Sequence, residues 1–175
     1  MTLGWGSVGV VYASTAFLSG PATVLPETAV DRWIVFDAVG IWWYLSFFIL
    51  IPYAYMGVQS ERLLWFRRSM QASALLAGIV FWCWPTTMRY PEVLGSDIST
   101  TALRWLLVVD TSHNCLPSLH AALTLLAVWA LQDAKRPWRS AFLLLWGVAI
   151  GFSIVQLRRH LSIDLAAGLL LGALV

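Results

Sequence analysis

The sequence predicts an all-α integral membrane protein, a six-transmembrane-helix bundle with a short interfacial helix in the loop between the third and fourth spans. Hydrophobic residues make up 59% of the chain and charged residues 11%, whereas a soluble domain carries about 25% charged residues. The 11 tryptophans agree with this class, because Trp concentrates at membrane interfaces. A length of 175 residues favours a single membrane-embedded domain over residues 1–175.

The apolar residues form six runs, each of which is predicted to contain a membrane helix. The runs are Gly4–Leu18, Trp33–Met56, Ser69–Trp84, Pro117–Leu131, Trp138–Val155 and Leu161–Val175. A span needs about 20 residues, so several runs are long enough only if their flanks are also helical. Because no basic segment precedes the first run, we expect a membrane helix there and not a cleaved signal. The amphipathic stretch Ile98–Asp110 predicts either an interfacial helix or an ordinary loop helix packed on the bundle.

Basic residues in two short loops predict the orientation of the chain. The loop between the second and third runs and the loop between the fourth and fifth contain Arg62, Arg67, Arg68, Lys135, Arg136 and Arg139. Both loops fall on one side of a six-helix topology, and the positive-inside rule makes that side cytoplasmic. Both termini are then cytoplasmic. The loop 86–114, the start of the fourth run and the turn 156–160 are expected to face the periplasm, exterior or lumen.

The composition also limits the partners and cofactors. A net charge of +2 is too small to predict nucleic-acid binding, and the hydrophobic composition makes the lipid bilayer the expected partner. The oligomeric state stays open. Cys83 lies in an apolar run and Cys115 in a loop, without metal-ligand spacing around them. Neither a disulfide nor a zinc site is expected.

The first candidate catalytic element is the segment 114–122, Asn-Cys-Leu-Pro-Ser-Leu-His-Ala-Ala. Pro117 suits the first turn of a helix, where its missing N–H costs nothing. Ser118 and His120 are therefore predicted at a helix N-terminus, where free backbone N–H groups and the helix dipole attract phosphate. Beside an anion, His120 can hold the proton that a leaving group needs.

The second element is the segment 153–164, in which His160 and Asp164 are four residues apart and share one face of a predicted helix. A carboxylate beside an imidazole fixes its tautomer and stabilises the cation that forms when the other nitrogen attacks. Arg158 and Arg159 can bind non-bridging phosphate oxygens. The alternatives are a structural histidine and two arginines that only anchor the helix end. Neither alternative explains why Asp164, a charged residue, lies one turn inside an apolar run.

These two elements resemble the signatures of the type 2 phosphatidic acid phosphatase superfamily of lipid phosphatases and phosphotransferases. One family signature is Pro-Ser-Gly-His, and residues 117–120 read Pro-Ser-Leu-His. The next is Ser-Arg, five residues, His, three residues, Asp. Ser153, His160 and Asp164 have that spacing. The resemblance covers about Trp33 to Val175, and the two signatures in order are specific together.

The chain departs from the family pattern at three places. In the first family signature, Lys, six residues, Arg-Pro, the Lys position holds Trp82, and Arg89 is separated from Pro91 by one residue. The Gly of the second signature is Leu119. The Arg of the third falls on Ile154, and Arg158 replaces its charge if the backbone is helical there. If the backbone turns instead, Arg159 is the better candidate.

Some of these departures are similar to the branch that contains inositol phosphorylceramide synthases. The shared features are Pro-Ser-Leu-His, a basic residue two before the nucleophilic His, Trp84-Pro85 and the run Trp42-Trp43-Tyr44. Members of that branch include phosphotransferases that pass a lipid head group to a hydroxyl.

The resemblance implies a reaction on a membrane lipid substrate, without metal or cofactor. His160 attacks phosphorus and forms a phosphohistidine, Asp164 orients it, and His120 protonates the leaving group. Ser118 binds the phosphate together with Arg158, Arg159 and Arg89. The predicted function is a lipid phosphate or diphosphate phosphatase. A lipid phosphotransferase is the alternative, and a non-enzymatic membrane scaffold is a third possibility.

Overall fold

Each predicted apolar run overlaps a helix in the computed structural model, which describes residues 2–16, 21–110 and 114–175. Within those ranges the helices are α1 (Thr2–Ala16), α2 (Ala29–Trp33), α3 (Ile41–Gly57), α4 (Ser60–Cys83), α5 (Ile98–Val109), α6 (Leu119–Ala130), α7 (Pro137–Gln156) and α8 (Ser162–Leu174). Two strands of two residues each, β1 (Thr23–Val24) and β2 (Thr86–Thr87), are the described β-structure. The all-α prediction is confirmed, and α5 lies where the short helix was expected.

Two helix boundaries differ from the prediction. The second apolar run was expected to be helical from Trp33, but α3 begins at Ile41 after a separate 3₁₀ turn, Ala38–Gly40. Asp37 caps that turn by accepting the Val39 N–H at 2.9 Å, which stops α3 from extending backwards. Conversely, α4 begins at Ser60 and not at Ser69, because its first turns are charged but still favour a helix.

The short strands join three loops at one end of the bundle. β1 pairs in parallel with β2, with Thr23 opposite Thr86. A further bridge joins Thr86 to Asn114, just before α6. Beneath them lies a small buried cluster of Leu25, Met88, Cys115 and Leu161. This cluster fixes the loop before α6 against the turn before α8.

The α6 helix is the centre of the bundle, because it packs against α3, α4, α7 and α8 and nine of its twelve residues are buried. Two glycines let α8 come close to it. A Cβ on Gly168 would lie 2.2 Å from the Ser118 carbonyl oxygen, and one on Gly172 would lie 2.9 Å from that of Ala122. This close approach brings the first turns of α6 and α8 together.

The outer surface of the bundle is apolar. On α7 the exposed side chains include Phe142, Leu144, Leu145, Val148 and Phe152, a run that a water-soluble monomer rarely exposes. Two described stretches, Ala38–Gly57 and Pro137–Gln156, are long and apolar enough to cross a bilayer. The α6 and α8 helices have 12 and 13 residues. The six-span topology stays a prediction.

The segments with the basic residues meet at one end of the bundle, but Arg62, Arg67 and Arg68 belong to the first turns of α4 and not to a loop, as had been expected. Arg62 at the start of α4 donates to the Gln132 carbonyl after α6 at 3.1 Å. Arg139 at the start of α7 donates to the Tyr53 hydroxyl near the end of α3 at 3.4 Å. The N-termini of α3 and α6 and the C-terminus of α7 are therefore at the opposite end, where the candidate catalytic residues lie.

Candidate active site

His160 lies in a turn and not on the face of a helix. The chain leaves α7 at Gln156 and enters α8 at Ser162, so the predicted helical i,i+4 geometry is wrong. The turn nevertheless brings the two side chains together. His160 Nδ1 is 3.6 Å from Asp164 Oδ2, and Oδ2 accepts the Leu161 N–H at 2.9 Å. His160 and Asp164 are 6% and 0% exposed, so both side chains are buried inside the protein.

Ser118 caps α6, and its hydroxyl accepts the Ala121 N–H at 3.3 Å. Pro117 therefore precedes the cap and is not in the first helical turn, as had been expected. The Ser118 N–H donates to the Asp164 carbonyl at 3.0 Å, which joins the starts of α6 and α8. His120 follows in the first turn of α6. Its ring centroid lies 6.1 Å from that of His160, so the two imidazoles are close neighbours.

Tyr44 of α3 contacts His120 directly. Its hydroxyl is 3.0 Å from His120 Nε2, and Phe47, one turn later, packs on the same imidazole with ring centroids 4.7 Å apart. Tyr44 is fully buried. In the sequence, Tyr44 stands out only as part of the Trp-Trp-Tyr run, because an aromatic residue within an apolar run gives no sign of such a partner.

Arg159 lies beside the nucleophile candidate and pairs with Asp110, the residue after α5. Its Nε and Nη2 donate to Asp110 Oδ2 at 3.0 and 2.7 Å, and the Tyr12 hydroxyl donates to Oδ1 at 2.7 Å. The guanidinium also lies 5.0 Å from the ring centroid of Tyr90. Burial opposes ionisation of Asp110, but Arg159 and Tyr12 outweigh it and lower the pKa of the carboxyl. The pair is therefore charged.

Arg158 and Arg89, both predicted to bind phosphate, do not converge on this space. Arg158 has φ 50°, so the backbone turns there and is not helical. Its Nη2 donates to the carbonyls of Asp31 and Ile34, and its Nε is 3.6 Å from Glu27 Oε1. Arg158 thus anchors the α2 segment. Arg89 is exposed in the loop after β2, and within the described ranges no hydrogen bond or ion pair joins it to His120, His160 or Asp164.

An apolar cavity of about 230 Å³ borders His120. Val8, Phe47 and Leu123 are among its apolar lining residues, from α1, α3 and α6. Its polar groups are Tyr12, Tyr44, Asp110 and His120, which also line it. An apolar chain in this cavity would have its polar end beside His120.

Cys115 is a site neighbour that the sequence did not indicate. Its Sγ and the candidate ligand atoms of His160 and Asp164 all lie within 4.8 Å of one another. The Tyr90 hydroxyl is 3.4 Å from Sγ. Burial raises the pKa of the thiol to about 11, so Cys115 is protonated at neutral pH and is not a nucleophile.

Comparison with known proteins agrees with the motifs. Searches of curated proteins and of solved structures found no match. A family model described as the PAP2 superfamily, the type 2 phosphatidic acid phosphatases, matches residues 18–175. Members of that family are generally membrane-associated phosphatases or phosphotransferases. Since the match extends over most of the chain and includes both candidate catalytic elements, the protein belongs to the PAP2 superfamily.

Proposed function

We propose that this protein is a lipid phosphate or diphosphate phosphatase that works through a phosphohistidine intermediate at the outer membrane face. The observation that carries the proposal is the arrangement of two neighbouring histidines, each with its own partner. His160 has a carboxylate, Asp164, at 3.6 Å, and His120 has the Tyr44 phenol at 3.0 Å. Such an asymmetric pair suits one nucleophile and one acid.

In the first step, His160 attacks phosphorus, an N–P bond forms and the bond to the leaving oxygen breaks. His120 donates its proton to that oxygen. In the second step, neutral His120 takes a proton from water, the water oxygen attacks phosphorus, and phosphate leaves His160. Asp164 stabilises the positive ring during both steps. The 3.6 Å separation is long for a hydrogen bond, and contacts of this kind often tighten only when substrate binds.

Arg159 and Ser118 are the proposed phosphate-binding groups. Arg159 adjoins His160 in the chain and supplies a buried guanidinium, which stabilises charge on the oxygens in the transition state. Ser118 lies at the N-terminus of α6, where the helix dipole also favours an anion. Arg158 and Arg89 stay weaker candidates, because Arg158 is bonded to two backbone carbonyls and Arg89 is exposed.

The cavity beside His120 favours a lipid as substrate, since its lining is mainly apolar. It also favours the second candidate function, a lipid phosphotransferase. Asp110, Tyr12 and Tyr44 supply hydrogen-bonding groups at the cavity wall next to His120, and a lipid hydroxyl bound there could replace water as acceptor. This candidate agrees with the motif resemblance to the branch that contains inositol phosphorylceramide synthases.

The proposed topology is six spans with both termini cytoplasmic. It is supported by the meeting of the two basic segments at one end of the bundle and by the location of the histidines at the other. Single cysteines are introduced one at a time into the loops of a Cys83→Ser/Cys115→Ser protein. Labelling from outside intact cells is then compared with labelling after the cells are opened. Labelling of the 132–137 loop from outside would contradict the orientation.

The decisive experiment is a substrate panel with purified protein in detergent. Labelled phosphatidic acid, polyprenyl diphosphate and phosphatidylglycerol phosphate are incubated with and without a diacylglycerol or ceramide acceptor. Free phosphate supports the phosphatase, and a new labelled lipid supports the transferase. Acid-labile label on the protein should appear in the wild type and be absent in His160→Ala. If His160→Ala turns over every substrate as fast as the wild type, the proposal is wrong.

The role of His120 has a separate test. His120→Ala should retain most activity on substrates with good leaving groups, such as aryl phosphates, because these need no proton donor. Equal losses for good and poor leaving groups would exclude His120 as the acid. Absence of any phosphohistidine over the whole panel would favour the scaffold.

A further inference from the structure

The His160–Asp164 contact leaves two buried polar atoms without hydrogen-bond partners. His160 Nδ1 and Asp164 Oδ1 have none among the described residues, and buried polar atoms of this kind normally have one. The Nδ1–Oδ2 separation of 3.6 Å is too long for a hydrogen bond. It is close to the roughly 3.4 Å that separates two N or O atoms bound to one tetrahedral zinc ion at about 2.1 Å. The distance between Nδ1 and Oδ2 is therefore about the distance between two ligand atoms of one zinc ion.

Cys115 supplies a third donor at the same place. Its Sγ lies within 4.8 Å of the ligand atoms of His160 and Asp164, and its backbone is held by a hydrogen bond to the Thr86 carbonyl. Side-chain movement of about 1 Å would bring a Zn–S distance of about 2.3 Å within reach. Thiolate, imidazole and carboxylate together select Zn²⁺ and similar ions over Mg²⁺ and Ca²⁺.

We propose that Cys115, His160 and Asp164 form an inhibitory binding site for a thiophilic divalent cation of the Zn²⁺ class. The ion would be bound by Sγ, Nδ1 and a carboxylate oxygen, with a fourth position open to water. Binding displaces the thiol proton and withdraws electron density from the imidazole. The ring is then a poor nucleophile. The binding itself is independent of the proposed function, whereas the inhibition rests on it.

Cobalt(II) is the probe for binding, because tetrahedral Co²⁺ has d–d bands in the visible region, and a thiolate ligand adds a charge-transfer band in the near ultraviolet, at longer wavelength than the tryptophan absorption. Protein without a polyhistidine tag is titrated with Co²⁺ in detergent, as wild type, Cys115→Ser and Cys83→Ser. Cys83 is an exposed cysteine on α4, and it is therefore the matched control. We expect one Co²⁺ per chain with a thiolate band in the wild type and in Cys83→Ser.

In Cys115→Ser the thiolate band should be absent and the affinity at least tenfold lower. Gel filtration checks that the variant is folded. Should it not be, His160→Ala provides the second test, since it keeps the thiol but should also lose the tetrahedral band. The proposal is overturned if the wild type shows no thiolate band, or if Cys115→Ser or His160→Ala binds Co²⁺ with unchanged spectrum and affinity.

Activity supplies the second arm, measured for each protein relative to its own rate without metal. Zn²⁺ should inhibit the wild type and Cys83→Ser, a chelator should restore both, and Cys115→Ser should need at least tenfold more Zn²⁺. Equal zinc sensitivity in all three would refute the inhibitory role. A cobalt–thiolate band without any phosphohistidine would support the metal site and contradict the proposed function. A phosphohistidine without the cobalt–thiolate band would support the proposed function and contradict the metal site.

Discussion

The Asp110 carboxylate binds the Arg159 guanidinium through two hydrogen bonds to one oxygen, at 3.0 and 2.7 Å. Asp110 follows α5 and Arg159 precedes the nucleophile candidate, so an ion pair connects the end of α5 to the turn between α7 and α8. Their side chains are 9% and 5% exposed. A substrate phosphate that binds Arg159 must therefore compete with Asp110 or share the guanidinium with it.

Asp110→Asn should leave Arg159 as a buried and uncompensated charge. We expect the free energy of unfolding to fall by about 3 kcal/mol or more, since breaking one side of a buried pair is costly. Orthovanadate, a phosphate analogue, should then raise the melting temperature of Asp110→Asn more than that of the wild type. The double variant Asp110→Asn/Arg159→Gln should lose this extra effect. Equal vanadate shifts in all three proteins would show that Arg159 does not receive the anion.

Arg158 should matter for stability and Arg159 for catalysis. Arg159→Ala should lower kcat/KM by about 10²–10³-fold, as loss of one transition-state donor does. Arg158→Ala should chiefly destabilise the α2 segment. Because Arg158 has φ 50°, Arg158→Gly should be about 1 kcal/mol more stable than Arg158→Ala, although both lack the guanidinium. Thermal unfolding compares the pair, and Ala as stable as Gly would contradict the turn.

Tyr44→Phe should weaken the action of His120 while the ring packing stays. A hydrogen bond to a charged group is worth about 1.5–3 kcal/mol, so kcat should fall about tenfold or more. The loss should be larger for poor leaving groups, which need the proton. Tyr53→Phe is the control on the same helix, since Tyr53 contacts Arg139 at the other end. Losses independent of the leaving group would assign Tyr44 to packing alone.

Gly168→Ala should separate the starts of α6 and α8. Its Cβ would lie 2.2 Å from the Ser118 carbonyl oxygen, so the backbone of one helix must move. We expect about 1–3 kcal/mol of destabilisation. We also expect the folded variant to lose activity, because the hydrogen bond between Ser118 and Asp164 joins the two segments that contain His120 and His160. Gly6→Ala, whose Cβ meets nothing within 4 Å, should be neutral. Wild-type activity in Gly168→Ala would contradict this packing.

Asp31 should make stability depend on pH in the acid range. It is fully buried and accepts the N–H groups of Thr28 and Ser162 at 2.7 Å each. Burial opposes its charge, but these hydrogen bonds prevail and lower its pKa. The stabilisation is present above the unfolded pKa of about 3.9 and is lost as the pH falls through the lower folded value. The stability difference between wild type and Asp31→Asn should therefore shrink in acid, as followed by thermal unfolding. A constant difference would contradict it.

The apolar runs and the two motifs were enough to predict the helices and to select the candidate catalytic residues. Long apolar runs predict helices because a chain buried in a bilayer or a core must satisfy its backbone hydrogen bonds within the segment. The Pro-Ser-Leu-His and His-to-Asp motifs are short and can be recognised locally. Ser118 and His120 at the start of α6 follow from a few consecutive residues, whereas His160 and Asp164 meet through a turn and not through the helical spacing that predicted their contact. These features also identified the family, which the match over residues 18–175 confirms.

The partners of those residues become visible only in the folded chain. Tyr44 on His120, Asp110 on Arg159 and Cys115 beside His160 are contacts between distant segments, and such contacts leave no periodic trace in one sequence. The choice between the two arginines has the same origin. The left-handed backbone at Arg158 directs its guanidinium to the carbonyls of the α2 segment, whereas Arg159 binds the Asp110 carboxylate beside the candidate site.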